Sequence, residues 1–177
     1  MSTLVLVARP DMHESRGNAA MAAAAAAVDG VTVHDLYATY PAGRLDVAAE
    51  QQLAEAHDRI VFQFPLHWYS TPPILKAWQD EVLEFGWAYD PLGAEGTGKA
   101  LKGKTLGCAV TTGAPESEYR EGGANGHRVA DFLLPVRGTA TFLEMAWREP
   151  FVVYASWALG DDDLAAATAA YTDWLVQ

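Results

Sequence analysis

Five short apolar runs recur along the chain, and longer segments with apolar residues at helical spacing separate them. The runs occupy residues 4–8, 31–33, 60–64, 106–110 and 151–154. Most are almost continuously apolar, whereas a strand with one solvated face alternates apolar and polar side chains. The pattern therefore predicts five strands that are mostly buried on both faces, as in a parallel sheet.

The segments between the runs carry helix signals. Ser15, with Asn18 three residues later, can cap an alanine-rich helix. A second helix is expected over about residues 47–57. Thr71 predicts the N-cap of a third helix with Pro72 at its first position, and a last helix is expected to open at Asp161 or Asp162. Apolar stripes mark the last two helices: Ile74, Leu75, Trp78 and Val82, then Leu164, Ala167, Tyr171 and Leu175.

Alternating strands and helices over 177 residues predict a single α/β domain, residues 1–177. Right-handed crossovers then place helices on both faces of an open parallel sheet. Five strands favour the order 2-1-3-4-5. Residues 85–104 contain many glycines and few helix or strand signals, so they predict a long loop with a functional role.

The composition narrows the classes of partner. A formal net charge of -11 disfavours nucleic acid and anionic membrane surfaces. Cys108, the one cysteine, lies in an apolar stretch, so it is expected to pack in the core, which fits a reducing, cytoplasmic setting. No signal peptide is visible, and no apolar run approaches the roughly 20 residues that span a bilayer.

Three polar or aromatic segments directly follow the first, third and fourth predicted strands: residues 9–18, 65–71 and 111–119. In the order 2-1-3-4-5 these strands are neighbours, and ligands bind beyond their carboxyl ends. In the first segment, Arg9, Ser15 and Asn18 can bind a phosphate at a helix N-terminus. The alternative is an ordinary N-cap beside a solvated arginine.

The second segment predicts a site for a flat heteroaromatic ring, and the third predicts groups that handle charge and protons beside it. Trp68 and Tyr69 can border such a ring, although Trp68 can equally pack on a helix. No second ligand stands at a suitable spacing from His67, so no metal is expected there. Backbone amides around Gly113 can hold a developing negative charge, and Tyr119, with His127 as a weaker candidate, can move a proton. A simple turn is the alternative for this segment.

Several separated motifs resemble the NAD(P)H:quinone oxidoreductase family of flavodoxin-like flavoproteins. Residues 65–78 read PLHWYSTPPILKAW, residues 85–89 FGWAY, residues 101–104 LKGK and residues 110–113 VTTG. Within that family, the chain is similar to the ancillary cytoplasmic oxidoreductases of the glutathione-gated potassium efflux system. The resemblance implies a flavodoxin-like fold and hydride transfer from NAD(P)H, through a flavin, to a quinone or similar acceptor.

The resemblance also implies the cofactor, its site and the partners. FMN is expected because the C-terminal tail is short, with FAD possible. The implied cofactor-binding residues are Arg9, Ser15, Asn18, Pro65, Leu66, His67, Trp68, Tyr69, Thr111, Thr112, Gly113, Ala114 and Glu116; the implied catalytic residues are Tyr119 and His127. Arg9 replaces the family's usual histidine, and Ala114 replaces a common second glycine. A homodimer is implied, with Phe85, Trp87 and Tyr89 forming a wall of the partner's pocket.

Two functions from other classes stay open at this point. The chain can be chiefly a regulatory subunit that docks on a membrane potassium efflux channel, with incidental redox activity. It can also be a flavodoxin-like electron carrier or a flavin-free binding domain, which would oxidise no NAD(P)H in the presence of quinone. The aromatic segment 65–71 favours a substrate pocket.

Overall fold

A parallel sheet forms the centre of the computed structural model, which describes residues 1–12, 14–90, 92 and 98–177. Within these residues the strands are β1 (Thr3–Val7), β2 (Val31–Asp35), β3 (Arg59–Pro65), β4 (Thr105–Thr111), β5 (Ala146–Trp147) and β6 (Phe151–Val153). Their order is β2-β1-β3-β4-β5, and β6 also pairs with β4. The predicted flavodoxin-like order 2-1-3-4-5 is confirmed.

The fifth position of the sheet is divided between two short strands. β5 pairs in parallel with the start of β4 and β6 with its end. The predicted strand 151–154 corresponds to β6, whereas β5 was not predicted because two residues carry no readable pattern. Pro150, between the two strands, has no N–H to donate to a β-ladder, which accounts for the interruption.

Helices cover both faces of the sheet. They are α1 (Arg16–Ala26), α2 (Leu36–Thr39), α3 (Val47–Glu55), α4 (Pro73–Val82), α5 (Val129–Phe132), α6 (Leu134–Phe142) and α7 (Asp161–Val176), with a short 3-10 turn at Glu116–Glu118. The single-turn helices α2 and α5 are too short to show periodicity. α6 was also missed, since Gly138 and β-branched Val136, Thr139 and Thr141 give it low intrinsic propensity.

One predicted helix start was wrong by one residue. α4 begins at Pro73, with Pro72 as its N-cap, because the Pro72 carbonyl accepts the first helical bonds from Leu75 and Lys76 at 3.0 and 3.1 Å. A residue that precedes a proline is disfavoured in helical conformation, which keeps Pro72 extended at ψ 152°. The last helix, α7, opens at Asp161 as predicted, with Gly160 as its N-cap.

The strands are buried on both faces, as the apolar pattern predicts. On one face Leu4, Leu6, Phe62 and Val110 pack beneath α4 and α6. On the other, alternate strand residues pack beneath α1 and α7, including Val5, Val7, Val61 and Ala109. The exceptions are the edge strand β2 and the short strands β5 and β6, which are only partly buried. Cys108 is a fully buried free thiol, and burial raises its pKa.

One carboxylate lies inside the core. Glu50, on α3, is 1% exposed and accepts hydrogen bonds from Trp78 Nε1 at 2.8 Å, Tyr40 Oη at 2.7 Å and His34 Nε2 at 2.7 Å. Burial alone would raise the pKa of Glu50, but the bonds from His34, Tyr40 and Trp78 outweigh it, so the pKa is lowered. The carboxylate therefore joins β2, the C-cap of α2 and α4 to α3.

The predicted long loop is described only at its two ends, since residues 91 and 93–97 lie outside the described residues. Leu101 is buried against the core, and Trp87 Nε1 donates to the Glu55 carboxylate.

No helix in the described part of the chain combines the length and apolar character needed to cross a bilayer.

Candidate active site

A cleft of about 380 Å³ lies at the carboxyl edge of the sheet, where β1, β3, β4 and β6 end. Small-molecule sites typically measure about 300–1,000 Å³. The structure brings nine of the predicted residues together in its lining: Arg9, Ser15, Asn18, Pro65, Leu66, His67, Thr111, Thr112 and Gly113. The three segments singled out in the sequence therefore meet at one place.

The N-terminus of α1 forms one end of the cleft. Ser15 occupies the N-cap position, but its side chain makes no capping hydrogen bond, contrary to the expectation from the sequence. The first N–H groups of a helix have no partner within the helix. The Ser15 Oγ accepts from Asn18 Nδ2, which leaves the hydroxyl hydrogen to donate, so this end of the cleft offers several hydrogen-bond donors and the positive end of the helix dipole.

Asn18 fastens this helix end to the sheet. It is 1% exposed, and its Nδ2 donates to Thr111 Oγ1 at 2.8 Å and to Ser15 Oγ at 3.2 Å. Its backbone carbonyl accepts from Gln63 Nε2 at 2.9 Å. Among the described residues, the buried Asn18 Oδ1 has no hydrogen-bond partner. A buried polar atom without a partner is uncommon and marks a position where a ligand group is expected.

Arg9 and His67 meet across the cleft. Arg9 Nη1 lies 3.2 Å from His67 Nε2, and since a guanidinium can only donate, His67 Nε2 accepts and its ring proton is on Nδ1. Burial and the Arg9 charge both lower the pKa of His67. At neutral pH the imidazole is therefore uncharged, and Arg9 supplies the positive charge of this corner.

Replacing Arg9 by alanine is expected to raise the pKa of His67, because it removes the neighbouring positive charge. The rise should be incomplete, since burial is the larger cause of the lowering and is retained. An NMR titration of the histidine ring protons measures it, with Arg120→Ala, outside this cleft, as the control. An unchanged or lower pKa in Arg9→Ala would show that the guanidinium does not act on His67.

The structure places Trp68 and Tyr69 outside the lining of the cleft. Their backbones adopt φ values of 47° and 63°, a left-handed conformation that is strained for bulky residues. This turn directs Trp68 outward, where it is 93% exposed. Tyr69 packs its ring 4.8 Å from that of Phe132 and donates to Asn125 Oδ1 at 3.2 Å. Strain of this kind is concentrated at functional sites.

The remaining predicted residues follow β4 and lie beside the cleft rather than in it. Glu116 and Tyr119 line a second depression of about 610 Å³, together with Arg120, Arg128, Glu149 and Tyr154. Ala114 lines neither. His127 is exposed, lines neither cavity and packs edge-on against Phe132 at 5.9 Å. The side chains of Glu116, Tyr119 and His127 thus lie apart from the first cleft, whereas the backbone of Ala114 directly follows Gly113 at its edge.

Tyr119 nevertheless reaches the first cleft through one neighbour. Tyr119 is 8% exposed, and its phenol neighbours the side chain of Thr112, which lines that cleft. Burial raises the pKa of Tyr119 above its usual value. The hydroxyl therefore stays protonated at neutral pH, in the form that can donate.

Five residues that line the cleft were not among the predicted site residues, and one of them is Glu14, which precedes the N-cap of α1. Ser156 and Trp157 follow β6, and Arg16 and Gly17 open α1. A side chain at Gly17 would place its Cβ 3.0 Å from Ser156 Cβ, so the two segments are in close contact. Arg16 hydrogen-bonds the Leu159 carbonyl and pairs with Asp161. The available signal was that the predicted strand 151–154 also ends at this edge.

The described residues contain no group of three or more His, Cys, Asp or Glu side chains placed to hold a metal ion. The polar groups that line the first cleft are mainly donors, from backbone amides, hydroxyls and the guanidinium groups of Arg9 and Arg16, alongside the carboxylate of Glu14. Such a set suits an anionic ligand group.

Comparison with known proteins identifies the class. The family model described as "Flavodoxin-like fold" matches residues 1–175, and the chain belongs to this family. An NAD(P)H oxidoreductase of Bacillus subtilis, YdeQ, is 42% identical over 171 residues, 97% of this chain and 84% of the relative. The glutathione-regulated potassium-efflux system ancillary protein KefG of Cronobacter sakazakii is 41% identical over 172 residues, 97% of this chain and 91% of the relative. The resemblance stated from the sequence is confirmed.

Solved structures agree on the fold. General stress protein 14 of Treponema denticola, in complex with FMN, is 43% identical with a TM-score of 0.91, over 99% of this chain and 98% of that one. An NADPH-quinone reductase of P. pentosaceus is 30% identical with a TM-score of 0.88, over 98% and 97%. A structure described as a thermophilic tryptophan halogenase from Streptomycin violaceusniger is 42% identical with a TM-score of 0.93, over 98% of both chains. Similarity of this degree thus defines the family more firmly than the substrate.

Proposed function

We propose that the protein is an FMN-dependent NAD(P)H:quinone oxidoreductase. That it is a flavin-dependent oxidoreductase follows from the NAD(P)H oxidoreductases among its relatives and from the FMN bound to a structural neighbour. The quinone acceptor is our proposal, supported by the quinone reductase of similar structure. The main observation in support of the proposed function is the cleft in which three loops and the α1 N-terminus converge.

The residues of the cleft fit FMN. The donors at the α1 N-terminus, the Ser15 hydroxyl and the Arg9 guanidinium would hold the phosphate. The partnerless Asn18 Oδ1 can accept from a ligand hydroxyl. Pro65, Leu66, Thr111, Thr112 and Gly113 would border the ring. Bound FMN supplies the two-electron chemistry, taking hydride from NAD(P)H and passing it to the acceptor.

The loop after β4 contributes the polar groups nearest the ring. The amides of Gly113 and Ala114 would stabilise negative charge at the ring edge, and Tyr119, through its contact with Thr112, would hold a proton nearby. His127 keeps a weaker claim, since it is exposed and lies outside both cavities. We assign no contact with FMN to Glu116, Trp68 or Tyr69 on this geometry.

The test of the proposal is turnover. FMN-loaded protein is expected to oxidise NAD(P)H rapidly only when a quinone is present, and FMN-free protein should be inactive. If donor and acceptor use the same space in turn, double-reciprocal plots should give parallel lines. Azo dyes and nitroaromatics, assayed in parallel, rank the acceptors. FMN-loaded protein that oxidises no NAD(P)H with any of them would contradict the proposal.

Tyr119→Phe is expected to lower kcat about tenfold with a smaller change in KM. This is below the roughly 10²–10⁴-fold typical of acid–base catalysis, because water from the open second cavity can replace the hydroxyl. Steady-state kinetics measure it, with Tyr154→Phe as the control, since its ring lies 5.9 Å from that of Tyr119 in the same cavity. Equal kcat values for Tyr119→Phe and wild type would remove Tyr119 from the proton path.

We further propose a homodimer. Phe85, Leu134 and Phe142 are 56%, 55% and 64% exposed, and Tyr89 packs between the rings of Phe85 and Phe142. A contiguous apolar surface of this kind is typical of an interface. Trp87 faces Glu55 instead, so we do not include it. Sedimentation should show a dimer at micromolar concentration and a monomer for Phe142→Glu; a monomeric wild type would contradict the proposal.

A second candidate function is that of a cytoplasmic subunit that regulates a membrane potassium efflux channel. The 41% identity to KefG favours it. In that case the redox activity is incidental. Co-purification with a membrane potassium channel from the source cells would support it, and quinone reduction without any such partner favours the enzyme.

A further inference from the structure

The loop that follows β4 is fastened by the segment that follows β6. The carbonyl of Thr112 accepts the Ser156 N–H at 3.0 Å, and that of Ala114 accepts the Ala155 N–H at 3.1 Å. Between them, the Gly113 carbonyl accepts from Trp157 Nε1 at 2.7 Å. Three consecutive carbonyls are thus bonded to residues 155–157.

This arrangement determines where the amides of the loop point. The carbonyl and the N–H of a trans peptide face opposite ways, and the described residues contain no cis peptide. With the Thr112 and Gly113 carbonyls turned to residues 155–157, the N–H groups of Gly113 and Ala114 turn away from them. Within the described part of the chain, neither N–H donates a hydrogen bond. Both are free to donate to a ligand.

Only the central bond of the three depends on a side chain. A Cβ at Gly113 would have no atom within 4 Å, so packing does not restrain this residue. Trp157 is itself 76% exposed, which is unusual for so large an apolar side chain and shows that core packing does not hold it there. The far end of the loop that contains Trp157 is anchored by Arg16, which donates to the Leu159 carbonyl.

Resting on the proposed function, we infer that Trp157 is a positioning residue: its indole N–H fixes the Gly113–Ala114 peptide so that two adjacent amides present a preformed pair of donors to the polar edge of the flavin ring. Donors held in place bind more strongly to an acceptor that carries more negative charge. Trp157 should therefore favour reduced FMN over oxidised FMN.

Trp157→Phe removes the N–H and keeps an aromatic ring, and since the side chain is exposed the fold should be unaffected. We expect a few-fold rise in the dissociation constant of oxidised FMN and a further tenfold rise for reduced FMN. Tenfold corresponds to a midpoint potential about 30 mV more negative for a two-electron couple. Fluorescence titration and spectroelectrochemistry measure the two quantities.

Trp174→Phe is the matched control. Trp174 Nε1 also donates to a backbone carbonyl, that of Glu149 at 3.2 Å, but outside the cleft. It should leave FMN affinity and potential unchanged. A Trp157→Phe potential equal to that of wild type, with FMN bound by both, overturns the inference and leaves the proposed function standing. Failure of wild type to bind FMN would reject both together.

Discussion

Replacing Asn18 by aspartate is expected to weaken FMN binding about 100-fold while changing the free energy of unfolding by less than about 1 kcal/mol. The new carboxylate would accept from the hydroxyls of Ser15 and Thr111, which now accept from Asn18 Nδ2. An acidic side chain is favoured in the first turn of a helix. The substitution should therefore leave the fold intact while it disfavours binding of the ligand phosphate.

The loss of binding has two causes that act together. A like charge within several ångströms of the phosphate costs about 2–4 kcal/mol at an effective dielectric constant of about 20, and a factor of ten in affinity is 1.4 kcal/mol. The Ser15 hydroxyl, engaged by the carboxylate, would also be lost to the ligand. Isothermal titration with FMN and urea unfolding of the FMN-free protein measure the two effects.

Asn18→Ala separates the added charge from the lost amide. It should weaken FMN binding less than Asn18→Asp and lower stability more, because Ser15 and Thr111 would then lose a hydrogen-bond partner at a buried position. Should Asn18→Asp bind FMN as tightly as the wild type, the phosphate does not lie at this helix end.

The second large effect is on stability. Glu50→Ala is expected to lower the free energy of unfolding by about 3–5 kcal/mol, because it leaves the donors of His34, Tyr40 and Trp78 without their acceptor inside the protein. Urea unfolding at pH 7 measures it. Glu55→Ala, on the exposed side of the same helix, is the matched control and should cost less than about 1 kcal/mol.

The deficit of Glu50→Ala should shrink in acid. Since the pKa of Glu50 is lower in the folded protein than in the unfolded chain, the charged carboxylate stabilises the fold above the unfolded pKa of about 4.3. This stabilisation is lost as the pH falls through the folded pKa. Unfolding measured between pH 7 and pH 3 tests it, and a deficit that is independent of pH would show that the ionised form does not matter.

The sheet could be predicted because burial leaves a direct mark on composition. β1, β3 and β4 are almost wholly apolar, their alternation with helices predicts a parallel sheet, and five strands favour the observed order. The parts that could not be predicted are those with little local signal. β5 is two residues long, and α6 is held by packing despite its weak propensity. In each case tertiary contacts decide the structure.

The site could be predicted only as far as topology determines it. Strand order alone places Ser15, His67 and Thr112 at one edge. Strand order does not determine where a side chain points at a strained turn. Trp68, expected at the ring, points outward at a φ of 47°. The bond from Trp157 to the Gly113 carbonyl joins residues 44 positions apart and depends on the shape of two loops.

The measurement that tests the central claim most directly is the visible spectrum of the purified protein after incubation with FMN and gel filtration, followed by NAD(P)H titration under argon. We expect flavin absorption that stays with the protein and bleaches as NAD(P)H is added. A protein that emerges colourless, having retained neither FMN nor FAD, would contradict the account.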